Sequence, residues 1–527
     1  MDEVGDATKQ TEGKPSGGLR FLQLAAFFST FDRFAVGPML VTIAASFEAS
    51  LTKVAATASF YYLLYGGMQP VWGMLSDRLG RVRVMRLTLL GAAVAGVLSA
   101  SAPSLGVLIA ARALAGGLFA AVIPAALVYV GDTVGMDSRQ KALADLMAAS
   151  AVGTALATFL GGLAAYLDVW RLAFAAPALA GGALALLLMR LPEPKGFSIE
   201  NKEGPLSQIG RVLHRPWAVL VVAIALVEGA VILGFLTFLA PSLESIGVSP
   251  AVAGLVVGLY GLAVLVWTRA VKRLANRLGP AALILSGGTM LALGYASGAW
   301  DRSLAGAGVA ALLVGGGFAF MHSTLQTWAT QVVPEARATV ISLFAAALFA
   351  GSGVATSAAA PLAEAGRFSL LFATAAIIAL PLGLFGSFAR RRYAVILRRM
   401  NPRLDLAPQQ ADAGTLRAAR RTQPLCNIVL LPLVLLVIQN DGIVLPYEHS
   451  FLKRAVRGRL YLGACKDRFK VSQRPVGRRK GSKGESSSEA LLALKAYRER
   501  QLQKKVRMGP LMAGHKASVY HDGRYPP

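Results

Sequence analysis

Gly73-Met74-Leu75-Ser76-Asp77-Arg78-Leu79-Gly80-Arg81-Val82-Arg83 is a short charged stretch between two apolar runs, near 54–75 and 84–104. Each run is about as long as a helix needs to be to cross roughly 30 Å of hydrocarbon. The polar stretch between them therefore reads as a tight connection at a membrane surface. Gly73 allows close helix approach, and Gly80 allows a turn that a side chain would resist.

Outward from this loop the same pattern repeats. Apolar runs lie near 21–46, 54–75, 84–104, 106–130, 142–166, 170–190, 217–240, 251–270, 281–299, 303–328, 338–360 and 368–389, twelve spans in all. The chain of 527 residues is 55% hydrophobic and 16% charged, with a mean hydropathy of +0.54. A soluble chain carries about 25% charged residues, so lipid is the solvent this composition suits. Glycines scattered through the runs fit membrane helices, where small residues let backbones approach. The expected fold is all-α, with twelve transmembrane helices in two pseudo-symmetric six-helix halves.

Loop charges give the orientation. With a cytoplasmic N-terminus, the inner loops hold Arg78, Arg81, Arg83, Arg86, Arg139, Lys141, Lys195, Lys202, Arg211, Arg215, Lys272, Arg273, Arg277 and Arg337. The outer loops hold little beyond Lys53, Arg171, Arg302 and Arg367. Both termini are expected on the cytoplasmic side of a plasma membrane. Residues 1–20 form a polar N-terminal segment, 21–190 the first bundle, 191–216 a polar linker and 217–389 the second bundle. Arg277-Leu278-Gly279 after span 8 echoes Arg78-Leu79-Gly80 after span 2, a trace of internal repetition.

Residues 390–527 form a basic tail, expected to be cytoplasmic and largely disordered. From 396 onward, 26 Lys and Arg stand against 9 Asp and Glu. The overall charge of +26 is therefore concentrated at one end, and its simplest partner is an anionic lipid surface rather than nucleic acid. Within the tail, 425–438 is apolar but too short for a span, 470–488 reads as disordered and 489–507 as a charged helix. Both cysteines, Cys426 and Cys465, fall there. The apolar body thus has no disulfide, Cys-based metal site or thiol chemistry. A P-loop, a catalytic triad and metal-ligand spacing are all missing, so neither cofactor, metal nor enzymatic activity is expected.

Residues 73–83 match G-x-x-x-D-R-x-G-R-x-R at every fixed position, in the loop between spans 2 and 3, and on this basis the chain resembles the major facilitator superfamily. The resemblance implies a conformational latch of Gly73, Asp77, Arg78, Gly80 and Arg81. In it Asp77 meets the start of span 11, near Ala336–Thr339, and the basic residues pair with Asp132 at the end of span 4. Arg112, followed by Gly116 in a small-residue helix, is similar to the span-4 pattern of the drug:proton antiporter group. There the matching arginine is linked to proton transfer. Span 5 keeps Gly153, Gly161 and Gly162 of the antiporter pattern but has Ala157-Thr158 where a Gly-Pro pair is usual.

Two acids lie deep within spans. Asp32 and Glu228 each sit eleven residues into spans 1 and 7, roughly 16 Å along the helix. A carboxylate near the midplane is costly and marks a functional position unless it is paired. Proton coupling is one use of the two acids; a structural ion pair with Arg33 or Arg112 is the other. Consecutive residues point about 100° apart, so Asp32 and Arg33 cannot both face one cavity squarely. In span 10, His322 and Gln326 are four apart and share a face, as cavity lining or as helix–helix packing. The expected activity is alternating-access transport, with proton-coupled efflux of a hydrophobic or amphipathic solute by a monomer. Uptake of a small organic anion held by Arg112 or Arg33 is the alternative, and a non-transporting membrane sensor or scaffold a third.

Overall fold

The computed structural model describes residues 16–194, 205–275 and 277–400, all in helices and short connections. Lys195, Lys202, both cysteines and the tail segments 425–438, 470–488 and 489–507 lie outside the described residues.

Among the described residues, eleven helices are long and apolar enough to cross a membrane: Gly18–Ser46, Arg81–Ala100, Leu105–Thr133, Met136–Tyr166, Leu172–Arg190, Pro216–Glu244, Pro250–Leu274, Pro280–Trp300, Leu304–Val332, Pro334–Glu364 and Phe368–Leu397. Leu51–Leu79, of 29 residues, is the twelfth rod and occupies the place of span 2. It is less apolar for a physical reason. Tyr61, Tyr62, Tyr65 and Gln69 are buried within the protein, so this helix need not match lipid along its whole surface. A further short helix, Pro205–Leu213, lies in the linker.

The packing repeats between halves. Span 1 packs on span 5, span 2 on span 4 and span 3 on span 6; likewise 7 on 11, 8 on 10 and 9 on 12. Across the interface span 2 meets span 11 and span 5 meets span 8, the same relation with the halves exchanged. Glycine permits the second of these crossings. A Cβ on Gly254 would lie 3.0 Å from the Cα of Gly162, closer than packed side chains tolerate.

Contacts between the halves gather on the side away from the 73–83 loop. Ser59 donates to the carbonyl of Gly353 at 2.7 Å, and the backbone N–H of Thr52 donates to Glu364 Oε2 at 3.2 Å.

Four spans are irregular in mid-course. Span 1 changes from α-helix to a 3₁₀ turn at Gly37–Met39, with Pro38 removing a donor. Span 4 breaks at residues 120–121, between Leu105–Phe119 and Val122–Thr133. Span 7 passes through a π turn, Ala230–Gly234, and a 3₁₀ turn, Phe235–Phe238. Span 10 has a π turn at Phe318–His322. These are the first and fourth spans of each half.

Candidate transport site

Among the described residues, four ionisable side chains within the spans lie beside those four irregularities. Asp32 precedes the break in span 1 and Arg112 that in span 4; Glu228 precedes the π turn of span 7, and His322 closes that of span 10.

Arg112 donates from Nη1 to Asp32 Oδ1 and from Nη2 to the Asp32 backbone carbonyl, each at 2.7 Å. Both side chains are buried, at 1% and 3% exposure. The guanidinium also lies over the rings of Tyr61, at 4.6 Å, and Phe174, at 4.7 Å. Charge, hydrogen bonds and π faces thus jointly offset the cost of placing an arginine here. Asp32 Oδ2 and Arg112 Nε are buried without a hydrogen-bond partner, so the pair is not saturated.

In the second half Glu228 is fully buried, and its Oε2 lies 3.3 Å from His322 Nδ1. His322 is 14% exposed, stacks on Phe318 at 4.5 Å and touches Phe344 at 5.5 Å. Glu228 Oε1 has no partner. An acid and a base are therefore paired between the first and fourth spans of each half. The depths differ: Arg112 is seven residues past Leu105, whereas His322 is eighteen past Leu304. Gln326 is exposed and does not join the Glu228–His322 pair.

Arg33 turns away from Asp32. Its Nη2 donates to Tyr65 Oη at 2.6 Å, and its guanidinium is sandwiched between the rings of Tyr65, at 4.3 Å, and Phe349, at 4.8 Å.

The 73–83 loop forms a separate cluster at one end of the bundle. Arg81 contacts Asp77, and its Nε lies 3.6 Å from Asp132 Oδ2. Gly80 has φ +104°, a conformation that costs a residue with a side chain. A Cβ there would also lie 2.6 Å from the carboxylate of Glu193. Glu193 accepts from the backbone N–H groups of Val82, at 3.1 Å, and Arg83, at 3.3 Å, capping span 3 where the helix dipole favours an anion. A Cβ on Gly73 would make ordinary contact, at 3.9 Å, with Ser342 Oγ of span 11. Asp77 is 63% exposed, and its ion pair is with Arg81 rather than with residues at the start of span 11.

The family model of the Major Facilitator Superfamily matches residues 22–356 and again 244–444. The chain belongs to this family. It is an integral, multi-pass membrane transport protein, similar to known efflux pumps. It is 25% identical over 346 residues to the multidrug efflux pump LfrA of Mycolicibacterium smegmatis, covering 55% of this chain and 68% of that protein. The puromycin resistance protein pur8 of Streptomyces alboniger is 33% identical over 156 residues, 29% of this chain and 31% of that protein. Among solved structures, the nucleoside transporter NupG superimposes with a TM-score of 0.60 at 13% identity, over 70% of this chain and 99% of that one. A bacterial homologue of the lysosomal transporter Spinster, inward-facing and unoccupied, also gives 0.60, at 19% identity, over 72% and 98%. At such identities these two speak for the fold alone.

Two features of this facilitator were hidden in its sequence. Glu193, within Pro192-Glu193-Pro194, reads as linker punctuation, yet it caps span 3 while Tyr129 Oη donates to the Pro192 carbonyl at 3.2 Å. The π turns at 230–234 and 318–322 contain no proline, the residue that would have announced them.

Proposed function

We propose that this facilitator is a proton-coupled exporter of hydrophobic or amphipathic compounds, working as a monomer in a bacterial inner membrane with both termini cytoplasmic. The observation that carries the reading is the buried Arg112–Asp32 pair. A proton on Asp32 removes the charge that Arg112 neutralises, so protonation and the packing of span 1 against span 4 are linked. Glu228 with His322 offers the second half a similar linkage. The relation to LfrA supports the efflux direction. In this orientation the bonds from Ser59 to Gly353 and from Thr52 to Glu364 lie on the outer side. The latch of Gly73, Asp77, Arg78, Gly80, Arg81 and Asp132 would then engage span 11 in the outward-open state.

The test is a panel of neutral, cationic and anionic amphipaths in proteoliposomes carrying an imposed pH gradient of either sign. Export is expected to run against proton entry. Accumulation in the same direction as protons would replace this reading with anion uptake. A complete lack of transport across the panel would leave a sensor or scaffold.

A further inference from the structure

Asp32 is paired with Arg112 and Glu228 with His322, whereas Arg33 has no carboxylate partner among the described residues. Its neighbours are the Tyr65 hydroxyl and two aromatic faces. It is 9% exposed, and its Nε is buried without a hydrogen-bond partner. A cation this far from water normally requires a counter-ion, and the described residues do not supply one.

Arg33 lines a partly open cleft between the halves. The cleft draws on spans 1, 2 and 5 of the first half and spans 7 and 8 of the second, and among the described residues Arg33 is the one charged side chain lining it. Phe34, Leu233, Leu236 and Val257 make most of it apolar, while Tyr62, Thr158 and Thr237 add hydroxyls. Thr158 is the residue standing where the span-5 pattern has proline.

From this geometry we infer that the cleft takes a small amphipathic monoanion, its carboxylate, sulfate or phosphate head on Arg33 and its short aliphatic or aromatic part against Phe34, Leu236 and Val257. The guanidinium fork suits such heads, since two N–H groups can meet two oxygens. A cationic head would meet Arg33 with like charge and no acid within the lining. A neutral ligand would leave the arginine uncompensated. The inference rests on the exporter reading and narrows its substrate to the anionic members of the amphipathic class.

The test is equilibrium binding of radiolabelled octanoate to the full chain in phosphatidylcholine nanodiscs, with empty nanodiscs as background. Saturable binding is expected, competed by unlabelled octanoate or octyl sulfate but not by 1-octanol or octylammonium. Arg33→Gln is expected to weaken it at least about tenfold, and Arg33→Lys to restore most of that loss. Leu236→Trp, which fills the cleft and leaves the charge in place, is expected to abolish binding and decides the matter should Arg33→Gln fail to fold. The inference is overturned if octanoate does not bind saturably, if octylammonium competes as well as octanoate, or if Arg33→Gln and Leu236→Trp both bind like wild type. Proteoliposome export, measured in parallel, separates the two readings. Proton-driven export of other panel members with no Arg33-dependent octanoate binding sinks this inference alone. Arg33-dependent binding with no proton-driven movement sinks the exporter alone.

Discussion

Arg112 holds Asp32 by two atoms at once, the carboxylate Oδ1 and the backbone carbonyl, both at 2.7 Å. The second bond matters because it belongs to the main chain of span 1. A change in the Asp32 side chain alone cannot release it, so Arg112 ties protonation to the helix itself. Asp32→Asn is therefore predicted to insert and fold, yet to lose transport driven by a pH gradient. Gradient-driven flux in proteoliposomes measures this, and undiminished flux would remove Asp32 from the coupling step.

The reverse deletion is predicted to be structural. Arg112→Ala leaves a buried carboxylate unpaired, a loss of about 3–5 kcal/mol for a pair of this kind. Thermal unfolding in nanodiscs should show a clear fall in melting temperature. The double variant Asp32→Asn with Arg112→Gln should recover much of it without recovering transport. A double variant as unstable as Arg112→Ala alone would argue against the pairing as the cause.

Glu228 and His322 predict a second proton. Glu228→Gln should lower the number of protons exchanged per solute by about one, leaving some gradient-driven flux through Asp32. Reversal-potential measurements in proteoliposomes report that ratio directly. An unchanged ratio in Glu228→Gln would confine the pair to packing.

The two glycines of the 73–83 loop are predicted to differ in their tolerance of a methyl group. Gly80→Ala must hold φ at +104° and push against Glu193, a cost of about 1–3 kcal/mol. Gly73→Ala makes only an ordinary contact with Ser342 Oγ, at 3.9 Å, and should be near neutral in this conformation. Comparing the two melting temperatures decides it, and equal losses would refute the assigned geometry.

Much of the architecture was legible because each crossing needs its own apolar run and each loop declares its charge. Span 2 shows the limit of that logic. Lys53, Asp77, Arg78 and its buried tyrosines make it the least lipid-like of the rods, and the match at 73–83 marks its end better than its apolarity does. The pairing within the site was only partly legible. Depth in the helix pointed to Asp32, Arg112 and Glu228, but partner choice depends on side-chain direction, which sequence spacing does not encode. Thus Arg33, adjacent to Asp32 in the chain, stacks on aromatic rings instead. His322 meets Glu228 across 94 positions of sequence, whereas Gln326, one turn away, takes no part.

The capping role of Glu193 has a mechanical consequence. It fastens the first residues after span 6 to the first half, while Thr339 Oγ1 donates to Gln208 Oε1 at 3.0 Å and fastens the linker helix to span 11 in the second. Fifteen residues of chain separate Glu193 from Gln208. A stretch of that length reaches at most about 50–54 Å when fully drawn out. That figure is a hard ceiling on how far the two anchor points can travel apart, whatever the solute, unless one of the fastenings gives way first.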